Sequence, residues 1–129
     1  MWPFKKKPNS STNSSQIKEI DEMLEKLDVV NKLDKDDLCD WKDDFPNYKE
    51  AINELFKLNK FWIDINYMEN MELIKDTKIE DMTINQIKSL LTFHKRSERF
   101  SYGSWENMIK NGDMKEIKNR LTKLKNENV

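Results

Sequence analysis

The segment "TINQIKSLLTFHKRSERFSYGSWENMIKNGDMKEIKNRL", residues 83–121, determines most of the fold. Its first four residues place Thr83 and Gln86 three apart, the spacing of a capping box at a helix N-terminus. Apolar residues then recur on one helical face, at Ile84, Ile87, Leu90 and Leu91. We expect this helix to end near Arg96–Ser97, where the basic residues Lys95 and Arg96 suit the negative end of the helix dipole.

Two further helices are predicted downstream in the same segment. Ser104 is expected to cap a short helix that stops at Gly112, because glycine readily adopts the left-handed conformation past a helix end. Asp113 and Glu116 have the spacing of a second capping box, which would open the last helix. That helix has one apolar stripe, formed by Met114, Ile117, Leu121 and Leu124.

Composition extends this helical character to the whole chain. The 129 residues are 36% charged and include only two glycines and three prolines, whereas β-rich folds need turn residues repeatedly. The sequence therefore predicts a compact all-α bundle of five or six short helices. A disordered tail is expected over residues 1–15, followed by a single helical domain over residues 16–129.

The upstream elements are predicted with less regular patterns. Helical spacing favours a first helix over 16–28, a short helical turn around Asp36–Trp41, and a helix from Pro46 to about residue 58. An irregular stretch should then lead into a helix over 66–75. The expected core comprises Ile17, Ile20, Leu24, Ile52, Leu55, Phe56, Trp62, Ile84, Ile87, Leu91, Phe100, Ile117 and Leu121.

The net charge of −1 hides an uneven distribution of charge along the chain. Acidic residues dominate positions 19–50, and basic residues outnumber them from position 95 onward. One half of the chain could attract basic partners and the other anionic ones, or the two halves could face each other or hydrate separate helices. The sequence leaves these alternatives open.

Cysteine usage and hydropathy bear on location. The single cysteine, Cys39, excludes an internal disulfide, and no stretch approaches the roughly 20 apolar residues of a membrane span. The start of the chain, "MWPFKKKPNSSTNSS", contains no apolar signal-peptide core. We therefore expect a cytoplasmic protein with no transmembrane segment.

The stretch "LLTFHKRSERFSYGSWENMIKNGDMKEIKNRL" resembles the C-terminal signature of a widespread bacterial family of small domains without assigned function. The matching residues are Leu90, Leu91, Thr92, Arg96, Arg99, Phe100, Gly103, Gly112, Arg120 and Leu121. The resemblance covers about residues 60–121, and "WIDINYMENM" fits the upstream part only loosely. It implies no activity, cofactor or substrate.

A candidate ligand site is predicted from the residues of this stretch. Arg96 and Arg99 lie three apart at a helix end, where two guanidinium groups can converge on one phosphate or carboxylate. Backbone amides of the 101–104 turn and of the following helix would complete an anion site, beside Gly103. Phe100, Tyr102 and Trp105 would stack on a base or sugar. The alternative is structural: both arginines bond helix-end carbonyls or pair with Glu98 or Glu106.

Catalytic and metal chemistry are weakly represented in the sequence. His94 borders an apolar helical face, and a Cys39–His94 pair would arise only by chance of folding. The acidic run "DKDDLCDWKDD" lacks the alternating register and glycine of a calcium loop, and one histidine with one cysteine is too few for a usual zinc site. The sequence predicts no catalytic residues, no metal ligands and no cofactor.

Two functions are expected on these grounds. The first is a non-catalytic cytoplasmic binding or regulatory module that acts through a protein partner and docks through its acidic half, as an accessory protein of a bacterium or its phage, for example in conflict or defence. The second is a domain, with or without enzymatic activity, that binds a nucleotide or other phosphate ligand through His94, Arg96, Arg99, Tyr102, Gly103 and Trp105. Sequence-specific DNA binding is not expected, because no recognition helix with a basic flank is present.

Overall fold

A computed structural model describes the backbone of residues 9–127 and the side chains of residues 15–127. The elements of this part, in chain order, are α1 (Asn9–Asn31), β1 (Cys39–Lys42), β2 (Phe45–Tyr48), α2 (Glu50–Leu55), α3 (Tyr67–Ile74), a 3₁₀ turn (Ile79–Asp81), α4 (Ile84–Ser97), α5 (Ser104–Lys110) and α6 (Asp113–Glu127). The predicted all-α class with six helices is confirmed, with one small hairpin added.

The first helix is longer than its apolar stripe predicted. α1 spans 23 residues and begins at Asn9, whereas the sequence predicted a helix over 16–28. The predicted disordered tail of residues 1–15 overlaps the start of this helix. Residues 1–8 of that tail lie outside the described residues. The stretch from residue 9 to 15 is made of Asn, Ser and Thr, so it has no apolar period that would indicate helix.

Helix α1 packs along α6 and against α2. Its buried residues are Ile20, Met23, Leu27 and Val30. Acidic residues beside this stripe pair with lysines of α6, Asp28 with Lys118 at 2.8 Å and Asp21 with Lys125 at 2.5 Å. Between these two helices, the acidic and basic halves of the chain therefore face each other.

A β-hairpin stands where the sequence predicted a helical turn at Asp36–Trp41, and that prediction is wrong. The two strands pair antiparallel, with Cys39 opposite Tyr48. The connecting turn contains Asp43 at a φ of 57°, a left-handed conformation that aspartate tolerates better than most residues. The sequence signal for this turn was an Asp-Asp pair, which is weaker than a glycine signal.

The helix predicted from Pro46 to about residue 58 is also wrong in its extent. Pro46 lies in β2 opposite Trp41, and a two-stranded hairpin tolerates the missing N–H at its edge. α2 then covers only six residues. Leu58, just beyond it, has a φ of 37°, which is incompatible with a continuing right-handed helix.

The irregular stretch before residue 66 and the helix predicted over 66–75 are confirmed by α3. Asp64 ties this stretch to α4: its N–H donates to Thr92 Oγ1 at 2.9 Å, and its carboxylate accepts from Ser89 at 2.5 Å and Asn70 at 2.8 Å. Burial would raise the pKa of Asp64, but the hydrogen bonds from Ser89 and Asn70 lower it below its usual value. These bonds fix α3 against α4.

The capping box predicted at the start of α4 is confirmed. Thr83 Oγ1 accepts a hydrogen bond from the N–H of Gln86 at 3.2 Å, and Gln86 Oε1 accepts one from the N–H of Thr83 at 2.9 Å. The helix ends at Ser97, as predicted. Local sequence alone therefore defines this element at both ends.

Helix α5 begins differently from the prediction. Gly103, not Ser104, is the N-cap residue, and it has a φ of 97°. Ser104 is the first helical residue, and its hydroxyl lies 2.6 Å from that of Ser97 at the end of α4. A cap at Ser104 was wrong because the preceding turn places the glycine at the boundary.

The boundary between α5 and α6 is partly as predicted. Gly112 takes the left-handed conformation that ends α5, with a φ of 94°. Asp113, however, is the first residue of α6, and its N–H donates to Asn111 Oδ1 at 3.0 Å. The predicted second capping box, Asp113 with Glu116, is therefore replaced by a turn that Asn111 closes.

Most of the predicted core residues are buried, but three are not. Ile17 and Leu24 are only half-buried, because the side of α1 that faces the core is centred on Met23 and Leu27. Phe100 is 85% exposed, so its assignment to the core was wrong. Phe100 follows the end of α4, where its N–H bonds to the Ser97 carbonyl and the helical stripe no longer applies.

Candidate functional site

The turn between α4 and α5 is organised around the buried carboxylate of Glu98. Its Oε1 accepts hydrogen bonds from the Trp105 N–H and the Tyr48 hydroxyl, both at 3.0 Å, and its Oε2 accepts one from the Gly103 N–H at 2.9 Å. The predicted anion site relied on backbone amides of this turn. Since Glu98 occupies the amides of Gly103 and Trp105, they are not available to an external anion.

Tyr48 reaches this carboxylate from the hairpin. Burial, and then the neighbouring Glu98, raise the pKa of Tyr48, so its hydroxyl stays protonated and donates to Glu98. The same oxygen accepts the N–H of Glu106 at 3.3 Å. The β-hairpin and the N-terminus of α5 are thus joined through one buried hydrogen-bond network.

Trp105, predicted as a stacking surface for a ligand, is largely used by the fold. Its ring stacks on Phe56, with ring centroids 4.4 Å apart and planes inclined by 9°. Its indole N–H donates to the carbonyl of His94 at 2.8 Å. One ring face and the only polar atom of the side chain are therefore already engaged.

Gly103 provides close packing rather than a ligand contact. A Cβ atom at this position would lie 3.0 Å from the ring of Trp41 in the hairpin, and the φ of 97° would strain any L side chain. Trp41 donates in turn to Glu106 at 3.3 Å. The ring of Phe45 lies 4.9 Å from that of Tyr102, which adds a second contact between hairpin and turn.

The pKa values of His94 and Cys39 make His94 a weak base and keep Cys39 a neutral thiol at neutral pH. Burial lowers the pKa of His94 to about 4, and its Nδ1 is buried with no hydrogen-bond partner in the described part of the chain. Burial, and then nearby Glu106, raise the pKa of Cys39 to about 11. Neither residue therefore supports nucleophilic chemistry of the Cys–His type.

A cationic cleft of about 340 Å³ lies on the outer side of the turn. It brings together four of the six predicted ligand-binding residues, Arg96, Arg99, Tyr102 and Trp105, together with Lys95 and Glu98. His94 and Gly103 do not line it. The predicted convergence of the two arginines on one cleft is present, although the amide contribution is not.

The positive side chains of this cleft have few anionic neighbours. Lys95 donates to the Phe56 carbonyl at 2.7 Å, and burial followed by the charges of Arg96 and Arg99 lowers its pKa. Arg96 lies over the ring of Tyr67, 5.5 Å from its centroid, and its buried Nε has no partner among the described residues. Neither arginine forms an ion pair with a described carboxylate, so the predicted pairing with Glu98 or Glu106 is not found.

An apolar groove of about 520 Å³ adjoins this cleft and shares Arg96 with it. One wall comes from α3 and the other from the end of α4 and the residues after it. The lining residues are Tyr67, Met68, Met71, Glu72, Phe93, Arg96, Ser97, Phe100 and Ser101. Met68 is 72% exposed, Phe100 is 85% exposed, and Leu73 and Ile65 nearby in the sequence are also exposed. We call this surface the α3–α4 groove.

Comparison with known families adds one finding. The model of a family of unknown function (DUF6508) matches residues 46–127. The chain belongs to the DUF6508 family. No curated protein and no solved structure matches the chain. The DUF6508 region contains α2 to α6, and with them every residue that lines the cationic cleft and the α3–α4 groove.

Within the DUF6508 region, the residues that carried the resemblance separate into two sets. Thr92 Oγ1 accepts the N–H of Asp64 at 2.9 Å, and Arg120 Nε donates to the Met82 carbonyl at 2.7 Å, so both fix the fold. Arg96, Arg99 and Phe100 make no comparable contact. Membership of a family of unknown function is confirmed, whereas the specific signature and its bacterial occurrence stay predictions.

Sequence reasoning missed the apolar wall of the α3–α4 groove. The apolar residues Met68, Met71, Leu73 and Ile74 entered the sequence analysis only as support for the predicted helix over 66–75. Five apolar residues in an eight-residue helix exceed what one buried stripe can hold, and only Ile74 is fully buried. That excess was the signal for an exposed apolar surface.

Two further features are absent from the described residues. No three His, Cys, Asp or Glu side chains converge as a metal site would require. None of the helices in this part of the chain combines the length and the hydropathy needed to cross a membrane.

Proposed function

We propose that this chain is a non-catalytic binding or regulatory module that captures a protein partner in the α3–α4 groove. The observation that supports it best is the exposure of Phe100 beside Met68 and Phe93 in one concave apolar surface. Exposed apolar residues that are scattered singly are normal, but a contiguous patch with polar surroundings is typical of interaction sites. Aromatic residues and methionine are also the side chains enriched at such interfaces.

The groove replaces the acidic half of the chain as the expected docking surface. Two acidic residues of α1 are paired with lysines of α6, Asp28 with Lys118 and Asp21 with Lys125. These pairs reduce the negative field that a basic partner would meet. No described part of the chain covers the apolar side chains of the α3–α4 groove in a comparable way.

A pull-down with surface variants tests the proposal. Tagged wild type, Met68→Ser/Phe100→Ser and the control Val29→Ser would be incubated at physiological salt with lysate of cells that naturally contain the chain. Val29 is 51% exposed on α1 and does not line the groove, so its replacement matches the loss of apolar surface. We expect wild type and Val29→Ser to retain the same stoichiometric protein, and the groove variant to lose it. Equal retention by the groove variant would contradict the proposal.

A phosphate or nucleotide ligand in the cationic cleft is the second candidate function. The clustering of Lys95, Arg96 and Arg99 beside Tyr102 favours it. The use of the Gly103 and Trp105 amides by Glu98 weighs against it, because only side chains are left to hold the anion. We therefore rank it below the partner proposal.

A thermal-shift screen separates the second candidate from the first. A ligand that binds only the folded state raises the melting temperature as its concentration exceeds its dissociation constant. Nucleotides that stabilise wild type and fail to stabilise a folded Arg99→Gln variant would promote the cleft above the groove. Absence of any shift with wild type would remove this candidate.

The location and the biological role of the proposed module are also part of the proposal. A cytoplasmic location fits a chain with a single cysteine that has no disulfide partner within it. A role as an accessory protein of a bacterium or phage, for instance in conflict or defence, would suit the small size of the chain and the family resemblance. Identification of the retained partner would decide both points.

A further inference from the structure

Resting on the proposed function, we propose that the partner presents an amphipathic helix to the α3–α4 groove, with acidic residues at the end of that helix that meets Arg96 and Arg99. The inference comes from the shape of the groove and from the distribution of charge along it. It specifies the chemistry of the partner segment rather than its identity.

The shape of the groove suits a helix. Its walls are α3 and the end of α4, and an apolar trough between two helices accepts side chains that repeat at the i, i+3/i+4 and i+7 positions of a third. α3 has eight residues, so about two turns of a partner helix, roughly 12 Å, would span the surface. Met68 and Met71 add adaptable walls, because methionine side chains adjust to different apolar shapes.

An added β-strand is a poorer fit to the same surface. Strand addition needs an exposed sheet edge, and the hairpin strands β1 and β2 do not line the groove. Apart from the helix ends, the backbone groups of α3 and α4 are paired within their own helices. The groove therefore offers side-chain contacts and no row of free backbone groups.

Charge differs between the two walls. On α3, Glu72 lies 3.0 Å from Lys75, so its charge is locally balanced. On the α4 side, Arg96 and Arg99 have no described carboxylate partner, and Lys95 adds a third positive charge. The one carboxylate there, Glu98, is hydrogen-bonded to Tyr48 and to the turn amides, so positive charge is in excess. A carboxylate from the partner would pair with the guanidinium groups of these arginines through charge-assisted, bidentate hydrogen bonds.

Other occupants match this charge less well. In a two-fold dimer the same patch meets itself, which would bring the arginines of both copies into one interface. The segment of residues 1–8 contains Trp2 and Phe4 but also three consecutive lysines, which have the same sign as the arginine edge. An anionic membrane suits the cations, but the apolar residues line a concave groove rather than a protruding face.

Fluorescence anisotropy with synthetic helical peptides tests the inference. The probes are fluorescein-labelled amphipathic peptides of about 14 residues with leucines at helical spacing. One version has glutamates at one end, a second has glutamines at the same positions, and a third has lysines. We expect the glutamate peptide to bind wild type at least about tenfold more tightly than the glutamine peptide, and the lysine peptide to bind most weakly.

Variants of the protein identify which contacts produce this preference. Arg99→Gln should reduce the advantage of the glutamate peptide over the glutamine peptide by several-fold, and Arg96→Gln with Arg99→Gln should abolish it. Met68→Ser/Phe100→Ser should weaken all three peptides. Lys123→Gln, which removes an exposed positive charge on α6, is the matched control and should bind like wild type. Arg99 is exposed, so its single variant remains informative if the double variant fails to fold.

Each result has a defined consequence. Equal binding of the glutamate and glutamine peptides would overturn the acidic partner while leaving an apolar docking groove. Failure of all peptides, with the stoichiometric partner still lost only in the groove variant, would overturn the helical partner and preserve the proposed function. Capture of wild type by anionic phospholipid vesicles through Phe100, without peptide binding, would assign the surface to a membrane. Concentration-dependent dimerisation abolished by Phe100→Ser would assign it to a second copy.

Discussion

Glu98 and Arg99 are neighbours in the sequence and both line the cationic cleft, but the fold uses their side chains differently. Glu98 is buried and joins Tyr48, Gly103 and Trp105, whereas Arg99 lines an open cleft with no described anionic partner. The side chain of the next residue, Phe100, is 85% exposed. A single turn thus has an inner side that holds three elements together and an outer side that leaves charged and aromatic groups unpaired.

The contrast shows how a compact motif can mix two purposes. The inner residues of the turn have their hydrogen-bonding and packing capacity used within the chain. On the outer side, neither Arg96 nor Arg99 forms an ion pair within the described residues, and Phe100 is 85% exposed. Neighbouring residues that share a family resemblance therefore need separate physical explanations. Substitutions on the inner and outer sides of the turn test this difference.

The largest contrast is expected between Trp105→Ala and Phe100→Ala. Loss of the Trp105 ring removes its stacking on Phe56 and its hydrogen bond to His94, which should lower the free energy of unfolding by about 3 kcal/mol or more. Phe100→Ala should change it by less than about 0.5 kcal/mol, because the side chain is exposed. Urea denaturation followed by circular dichroism measures both. Equal losses would erase the distinction between the inner and outer sides.

A second prediction concerns the effect of low pH on stability through His94. Its pKa is about 4 in the folded chain and about 6.5 in the unfolded chain, so the unfolded state binds the proton more readily. Stability due to this residue should be complete above pH 6.5 and should fall as the pH drops towards 4, by roughly 3 kcal/mol in total. Urea titrations at several pH values should show this slope in wild type and a reduced slope in a folded His94→Leu variant. An unchanged slope in the variant would show that other groups cause it.

Replacing Glu98 by glutamine should have the third-largest effect. The amide keeps the size of the side chain but has one acceptor oxygen in place of two, so at least one of the three donors around it loses its bond. We expect a loss of about 1–3 kcal/mol in the free energy of unfolding. Glu127→Gln, at the exposed end of α6, is the control and should be neutral. An unchanged free energy of unfolding in Glu98→Gln as well would show that the hydrogen-bond network does not stabilise the turn.

The two glycines provide the smallest and most closely matched comparison. Both have φ values near 95°, so alanine at either position should cost about 1 kcal/mol from backbone strain. At Gly103 the new methyl group also meets the ring of Trp41 at 3.0 Å, whereas at Gly112 nothing lies within 4 Å. Gly103→Ala should therefore lower the melting temperature more than Gly112→Ala does. The reverse order would show that the hairpin does not pack on the turn as described.

Sequence reasoning succeeded where structure is determined locally. The Thr83–Gln86 box and the helical end at Ser97 depend on residues within one or two helical turns, so their pattern was sufficient. The hairpin was missed because its turn relies on Asp43 in a left-handed conformation, a weak signal without glycine. Pairing of β1 with β2 also depended on contacts of the hairpin with α5.

The candidate site was only half predictable for a related reason. Two arginines three apart near a helix end were enough to predict their convergence on one cleft. The occupation of the turn amides by Glu98 depends on Tyr48, fifty residues earlier, and no local pattern reveals it. The α3–α4 groove depends on how two helices pack, although the apolar excess in α3 was visible from the start.

Site-specific photo-crosslinking tests the central claim, that the outer side of the turn faces a protein partner, most directly. A photoreactive phenylalanine analogue would be placed at Phe100, or at the similarly exposed controls Phe45 on the hairpin and Val29 on α1, and irradiated in cells. We predict one discrete protein adduct from Phe100, absent from both controls and lost when Met68→Ser is added. Adducts from Phe45 or Val29 with none from Phe100 would contradict the claim and place the interface elsewhere.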